Sequence, residues 1–420
     1  MKLNVSKSLL VAMLMSSAAY AEAVTENVVA NTSTGSLLVY TTETTNSTYE
    51  ASCDQKPSGS SYDVRFKQNL VATGSTFSTS EGYDPYLNGQ TGNAAPSGSI
   101  IFDGTVEATG CNFTTGNYTS GSIKFNNNVE LNGGNTFVSR GGQQISFTKT
   151  ATANGDNTFI GGVSATNFVV KSGAQTFVRE DNPSNRVNAP TQTLTFSQIG
   201  FAEDADDTAR IDISAINVPT RTVDGYQKGG AFGGVNFSGT SEITTLNVEL
   251  GEYTGLRING TLTVRETVTI SGKTGVEFGE NSVLIFEIDS IYELMDQPDA
   301  LMTLAGDSSP MLNVADGVDM SGAKVELLFT ENALAELGAM EGPVTLNLDK
   351  VTNLENIELS LAVEESLGKT SEEVFGTTSV TTGAAGSLEN QFTITVPEPA
   401  TATLSLLALA ALAARRRRNG

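Results

Sequence analysis

Apolar and polar residues alternate in the middle of the chain, and this alternation recurs at a nearly constant interval. Three copies of the pattern Ile-x-Phe begin at Ile100, Ile123 and Ile145, which are 23 and 22 residues apart. We predict two further copies, from Phe168 to Val170 and from Leu194 to Phe196. An apolar residue at every second position is typical of a β-strand with one buried side.

Glycine and asparagine separate these strands. Gly110, Gly133 and Gly155 follow the three copies at the same interval and fit turns that require a positive φ angle. A second apolar element recurs between the copies at 134–138, 156–160 and 174–178. Each repeat therefore contains at least two short strands joined by tight turns.

A period of 22–23 residues built from short strands and turns predicts a β-solenoid. A single repeat cannot bury its apolar side, whereas stacked repeats place isoleucine on isoleucine and phenylalanine on phenylalanine. The alternative all-β architecture is a sandwich, whose strands do not repeat in register. We predict an all-β chain folded as a right-handed parallel β-helix, with a small mixed α/β cap at its C-terminal end.

The remaining sequence suggests the following division. We predict a signal peptide at 1–21, a Thr- and Ser-rich region with a solenoid cap at 22–97, and the solenoid at 98–288 with an irregular insertion at 199–240. A cap subdomain at 289–376 and a spacer at 377–395 precede a tail at 396–418. Within the cap, Thr330 is placed to begin a short helix through Leu337, and Gly338 to end it.

The N-terminus has the three parts of a secretory signal peptide. Lys2 and Lys7 are followed by a short apolar run and by the small residues Ala19 and Ala21. The run is much shorter than the ~20 residues that a membrane-spanning helix needs. We therefore predict cleavage after Ala21 by signal peptidase and export of the chain.

The C-terminus has a second targeting pattern. Pro397, Glu398 and Pro399 precede an uncharged stretch of fifteen residues, which ends in a cluster formed by Arg415, Arg416, Arg417 and Arg418. The arginines favour the cytoplasmic side and stop transfer. Fifteen helical residues span about 22 Å of a ~30 Å hydrocarbon core. We predict a short transmembrane helix that anchors the chain transiently in the inner membrane.

This motif, short helix and arginine cluster resemble the PEP-CTERM sorting domain, which exosortase-type transpeptidases recognise. The resemblance covers only 396–418. It implies that an exosortase-type enzyme cuts the tail near Pro397-Glu398-Pro399 and that the body passes to the cell surface, the outer envelope or the extracellular space.

Charge narrows the range of partners. The formal net charge is −23, and the body reaches −29 without the six positive charges of Lys2, Lys7 and the four C-terminal arginines. Nucleic acid and anionic membranes repel such a body, so nucleic acid is excluded as a partner. Because 39% of the residues are hydrophobic, the chain can still bury a core.

Cys53 and Cys111 are the only cysteines. An even number in an exported protein favours a disulfide, which would stabilise a loop of this length by ~4 kcal/mol. The alternative is that both are unpaired, small core residues.

Catalytic chemistry has little support. The chain has no histidine, which excludes Ser-His-Asp and Cys-His catalysis and the usual zinc sites. Carboxylates suffice for an inverting glycosidase or for calcium, and the candidates are Asp204, Asp206, Asp207, Asp212 and Asp224. Asp204, Asp206 and Asp207 are the weak metal candidates, and a solvated acidic loop is the simpler interpretation. We predict no catalytic residue and no cofactor.

The repeats carry a second resemblance. The stretch 157–162 is similar to the autotransporter-associated β-strand repeat of bacterial surface passengers. Unlike an autotransporter, the chain has no C-terminal run of alternating strands for an outer-membrane barrel. We expect a non-enzymatic surface or adhesion protein, or a component of an extracellular polysaccharide matrix. The alternative is a carbohydrate-active β-helix enzyme, a polysaccharide lyase or glycosidase.

Overall fold

The computed structural model describes residues between Asn27 and Ile394, with gaps of which the longest are 81–97, 179–191 and 291–311. The predicted signal peptide and sorting tail lie outside the described residues, as does Asp224. Nearly all described secondary structure is β-strand, and most strands are short and parallel to their neighbours.

The strands have the following bounds. The first eight are β1 (Asn27–Ala30), β2 (Leu37–Val39), β3 (Glu43–Thr45), β4 (Thr48–Cys53), β5 (Ser61–Tyr62), β6 (Val64–Phe66), β7 (Leu70–Thr73) and β8 (Thr76–Thr79). The next seven are β9 (Ile100–Phe102), β10 (Val106–Thr109), β11 (Asn112–Thr114), β12 (Ile123–Phe125), β13 (Val129–Leu131), β14 (Asn135–Ser139) and β15 (Ile145–Ala153). Then come β16 (Asn157–Gly161), β17 (Val163–Val170), β18 (Ala174–Val178), β19 (Gln192–Phe196), β20 (Ile199–Phe201), β21 (Arg210–Ala215), β22 (Arg221–Val223) and β23 (Tyr226–Lys228).

The remaining described elements lie towards the C-terminus. They are β24 (Gly233–Phe237), β25 (Ser241–Leu250), β26 (Thr254–Ile258), β27 (Thr261–Gly272), β28 (Glu277–Phe278), β29 (Val283–Ile288), β30 (Leu312–Val314) and β31 (Lys324–Phe329). Helix α1 (Glu331–Gly338) is followed by β32 (Val344–Asn347), β33 (Glu358–Val363), β34 (Thr381–Thr382) and β35 (Gln391–Ile394).

Each coil of the solenoid contributes to three strand faces in turn. Face 1 contains β2, β6, β9, β12, the first parts of β15 and β17, and then β19, β24, β26 and β28. Face 2 begins with β3, β7, β10, β13, the second parts of β15 and β17, and β20. It continues with the first parts of β25 and β27 and then with β29, β31 and β33. Face 3 contains β1, β4, β8, β11, β14, β16, β18, β21, and the second parts of β25 and β27.

The predicted register is confirmed in the middle of the chain. Ile123 pairs with both Ile100 and Ile145, and Phe125 pairs with both Phe102 and Phe147. The phenylalanine rings on face 1 stack with centroids 4.8 to 4.9 Å apart, the spacing of neighbouring strands. The parallel β-solenoid expected from the repeat is therefore the observed fold.

Face 3 contributes a second ring stack to the core. Phe77, Phe113, Phe137, Phe159 and Phe177 follow one another at 5.0, 4.6, 4.7 and 4.4 Å, and all are fully buried. Edge-to-face contacts such as Phe125–Phe137 join the two stacks. Stacked and edge-to-face aromatic pairs each add about 0.5–1.5 kcal/mol beyond their buried area.

A buried amide ladder runs beside this stack. Asn135 donates from Nδ2 to Oδ1 of Asn157 at 2.8 Å, and Asn157 donates from Nδ2 to Oε1 of Gln175 at 2.9 Å. The backbone N–H of Cys111 donates to Oδ1 of Asn135 at 2.9 Å. Three successive coils place an amide side chain at this position, so Asn135 and Asn157 each find a hydrogen-bond partner in the next coil.

The predicted fourth copy of the repeat is wrong. Val163 and Ala165, rather than Phe168 and Val170, pair with Ile145 and Phe147. This coil is only 18 residues long and carries alanine at the phenylalanine position, so neither its interval nor its composition matched the repeat. Phe168 instead fills the interior from face 2, with its ring centroid 5.4 Å from that of Phe159. The predicted fifth copy is confirmed by the pairing of Phe196 with Ala165.

The solenoid also starts earlier than the predicted boundary at residue 98. β2 pairs with β6, and β6 pairs with β9, so the strands from β2 to β8 contribute two coils in register with the later ones. The interval from Val64 to Ile100 is 36 residues because it contains 81–97, and this length concealed the repeat.

The insertion predicted at 199–240 is only partly irregular. β20 and β21 continue the coil by pairing with β17 and β18, and β24 pairs with β19. Between them, β22 and β23 form an antiparallel hairpin. The described residues of the insertion therefore form one regular coil and a hairpin.

The C-terminal region contains both coil strands and separate elements. β31 and β33 continue the parallel stacking of face 2, beyond the end that we predicted at residue 288. Helix α1 begins after Thr330, whose hydroxyl accepts from the backbone N–H of Ala333 at 3.4 Å. β32, β35 and β34 form an antiparallel sheet, of which β34 and β35 fall in the predicted spacer.

The predicted disulfide does not form, because Cys111 is a free, buried thiol. Thr48 pairs with Thr76, which pairs with Asn112, so Cys111 occupies the register of Ser47. Cys53 lies six positions further along β4, which corresponds to about 20 Å along the strand direction. A disulfide requires Cα atoms within ~7 Å.

Candidate functional site

The acidic loop between β20 and β21 contains three of the predicted carboxylates, and its contacts are structural. Oδ1 of Asp206 accepts from both the backbone N–H of Thr208 (2.9 Å) and its hydroxyl (2.5 Å), which close a turn. These bonds hold the pKa of Asp206 below its usual value. Asp204 lies 3.6 Å from Nζ of Lys171 across exposed surface, and Asp207 is exposed.

Asp212 makes contacts that do not involve the carboxylates of the acidic loop. It lies on face 3, where its Oδ1 accepts from the Thr245 hydroxyl at 2.7 Å and from Arg210 at 3.3 Å. Arg210 also forms a bidentate pair with Glu266, at 2.5 and 2.8 Å. These carboxylates raise the pKa of the Arg210 guanidinium. The network ties three successive coils together.

None of these contacts assembles a metal centre. Within the part of the chain that the structure describes, no group of three His, Cys, Asp or Glu side chains is arranged to hold a metal ion. The weak candidates Asp204, Asp206 and Asp207 therefore stand as one turn-forming, one ion-paired and one exposed carboxylate.

A second ionic cluster lies at the corner after face 1. Arg65 donates to both carboxylate oxygens of Asp103, at 2.7 and 2.9 Å, and Lys67 and Asn126 contact the same carboxylate. The hydrogen bonds from Arg65 are the main reason that the pKa of Asp103 lies well below its usual range, although burial opposes them.

A third cluster lies near the end of the regular coils. The guanidinium carbon of Arg265 lies 3.8 Å from the ring centroid of Phe201, and its Nε donates to Glu242 at 2.6 Å. Burial raises the pKa of nearby Glu287, while the charge of Arg265 lowers it. The positive charge of Arg265 partly balances the negative charges of Glu242 and Glu287.

One surface was missed by the analysis of sequence, although its signal was present. The outward side of face 3 between β8 and β18 carries two rows of uncharged residues, which we call the threonine face. The first row is Thr76, Asn112, Thr136, Thr158 and Thr176, and the second is Ser78, Thr114, Val138, Ile160 and Val178. The recurring tripeptides Thr-Phe-Val and Thr-Phe-Ile place threonine and a branched side chain outward around each buried phenylalanine.

The C-terminal segment gives the clearest link to known proteins. Residues 395–418 match the PEP-CTERM protein-sorting motif. This match includes Pro397, Glu398, Pro399 and the four arginines, all of which lie outside the described residues. The PEP-CTERM motif supports export through a sorting signal, implies processing by an exosortase-type enzyme, and implies a membrane-associated tail.

No curated protein matches the chain, and no solved structure matches it. In the described part of the chain, no helix is long and apolar enough to cross a membrane, and the predicted tail helix lies beyond that part. The resemblance of the body to autotransporter passengers remains a prediction.

Proposed function

We propose that the chain is an exported structural or adhesive protein of the cell surface or of the extracellular matrix, delivered through its PEP-CTERM tail. The observation that carries the proposal is the sorting motif at 395–418, attached to a body of stacked coils. The proposed sequence of events is cleavage after Ala21 by signal peptidase, transient anchoring by the tail in the inner membrane, and cleavage near Pro397-Glu398-Pro399.

The body suits a role as a spacer and display surface. Face 1 has ten strands, which at the usual spacing of neighbouring strands extend over about 43 Å. Its core contains two stacks of phenylalanine rings and a short amide ladder, so each of these coils is braced by the coils on either side. Such a body can present corner loops at fixed positions without a catalytic centre.

The charge of the body favours an uncharged matrix. At −29 the body is repelled by anionic polymers and membranes. We propose an uncharged extracellular polysaccharide as the surrounding partner, with retention through the sorting tail.

The test compares the native host with a deletion strain and with a strain that carries Glu398→Ala. Two quantities are measured: the surface fraction of the protein, by protease accessibility on intact cells, and cell–cell aggregation. We expect the deletion to reduce aggregation, and Glu398→Ala to keep the protein in the inner membrane and reproduce the deletion. Normal aggregation in the deletion strain would refute the structural role. Normal surface exposure of Glu398→Ala would refute delivery through the tail.

A further inference from the structure

The threonine face carries no charge, in a chain whose net charge is −23. In the same coils, the outward side of face 2 carries Glu107 and Glu130, and that of face 1 carries Arg65 and Lys124. The absence of charge is therefore specific to face 3 between β8 and β18. Such a surface favours an uncharged ligand.

The rings beneath the threonine face indicate that its strands twist little from one coil to the next. Beneath it, the rings from Phe77 to Phe177 are parallel to within 4° to 10° from each coil to the next. β-sheets ordinarily twist by roughly 20–25° per strand, and stacked side-chain ladders are the usual cause of flat ones. Here the phenylalanine stack and the amide ladder hold successive strands in one plane.

The hydroxyl groups on this plane are free and regularly placed. Among the described residues, the hydroxyls of Thr136, Thr158 and Thr176 have no hydrogen-bond partner. Neighbouring coils are about 4.8 Å apart, and the two rows are separated by about 6.7 Å along the strands. Threonine, valine and isoleucine are stiff at χ1. The surface is thus a preformed array of neutral donors, acceptors and methyl groups.

We propose that the threonine face binds the surface of ice. An ice plane is rigid, uncharged and periodic, and it presents donors and acceptors at fixed positions. A preformed array loses little side-chain entropy when it binds such a lattice, which favours a rigid ligand over a flexible polymer.

Two other occupants fit the surface less well. Sugars are commonly held by exposed aromatic rings, and here every ring of face 3 lies beneath the surface. A second copy of the chain would bury only about 300 Å² per partner on five coils, against the ~800 Å² typical of a stable interface.

The experiment measures inhibition of ice recrystallisation by the full-length exported chain. Thr136→Tyr raises a ring above the plane at the centre of the face, and Thr158→Tyr repeats the test one coil away. Thr152→Tyr is the matched control, because Thr152 points outward from face 2 in the coil of Thr158. Circular dichroism and the melting temperature establish that each variant is folded.

We expect the unmodified chain to slow the growth of ice grains. The concentration needed should rise about tenfold for Thr158→Tyr and for Thr136→Tyr, and stay within about twofold for Thr152→Tyr. The proposal is overturned if the unmodified chain leaves grain growth unchanged or if Thr152→Tyr is equally impaired. It is also overturned if Thr158→Tyr abolishes binding to microcrystalline cellulose or self-association while ice growth is unaffected.

Discussion

Asn157 illustrates how a single buried polar side chain can serve several coils. Its side-chain amide forms hydrogen bonds with Asn135 and Gln175 and also donates to the Gly155 carbonyl at 3.0 Å. Only 2% of the residue is exposed. The side chain therefore connects three coils.

We predict that Asn157→Ala lowers the free energy of unfolding by about 2–3 kcal/mol, because the amides above and below lose buried partners. Asn112→Ala is the control, because Asn112 is exposed on the threonine face, and its cost should be ~0.5 kcal/mol or less. Urea unfolding followed by circular dichroism gives both values. Equal costs for the two variants would contradict the role of the ladder.

Asp103 connects stability to pH. Its pKa is held well below the usual range, chiefly by Arg65, so the folded state favours the ionised form. This contribution is fully present above the unfolded-state pKa of about 3.9 and is lost as the pH falls towards the folded-state value.

We predict that Asp103→Asn is less stable than the unmodified chain at pH 7 and that this difference shrinks as the pH falls from about 4 to 2. Glu107→Gln, an exposed change of the same charge one strand further along the coil, serves as the control. Denaturation midpoints measured across this pH range test the prediction. A difference that stays constant with pH would mean that the ionised Asp103 is not the stabilising form.

Coils of unequal length are accommodated by exchanging large and small residues between faces. In the shortened coil, Ala165 takes the phenylalanine position of face 1, and Phe168 fills the space from face 2. Both residues are fully or almost fully buried. The stack on face 1 is interrupted here, while the interior remains filled with aromatic rings.

We predict that Phe168→Ala costs about 3–5 kcal/mol through a cavity and that Ala165→Phe costs about 1–3 kcal/mol through overpacking. The double variant should be more stable than the sum of the two by about 1–3 kcal/mol, because the new ring occupies the vacated space. Denaturant unfolding of all three variants gives this coupling. Strict additivity would show that the two positions do not share one volume.

The sequence pattern could predict coils only where length and composition both repeat. Ile100, Ile123 and Ile145 satisfied both conditions, so their register was predicted correctly. The coil at Val163 failed both, and the coil at Val64 was concealed by a long interval. Face 2 gave the weakest signal, because small residues such as Ala72 and Ala108 occupy its core positions.

The candidate sites also differ in how far the sequence alone could predict them. Pro397, Glu398 and Pro399 could be predicted because the sorting signal is a local pattern. The threonine face depends on register across five coils, and no single stretch of sequence reveals that its outward residues are aligned and uncharged. The predicted disulfide failed because cysteine number gives no information about register.

The molecule as a whole combines an acidic, repetitive body with a sorting motif at its C-terminal end and a predicted signal peptide at its N-terminal end. The body consists of parallel coils on three faces, and its charge of −29 keeps it away from anionic surfaces. The tail match at 395–418 connects this body to export. We propose that the mature protein is the body without either end.

Intact-mass measurement of the protein from its native host tests this claim most directly, with Glu398→Ala measured alongside. We predict that the unmodified protein lacks the first 21 residues and everything after the Pro-Glu-Pro motif, whereas Glu398→Ala retains its tail in the membrane fraction. A mature protein that retains 400–420 in both strains would contradict processing at this motif and show that the tail is a permanent anchor.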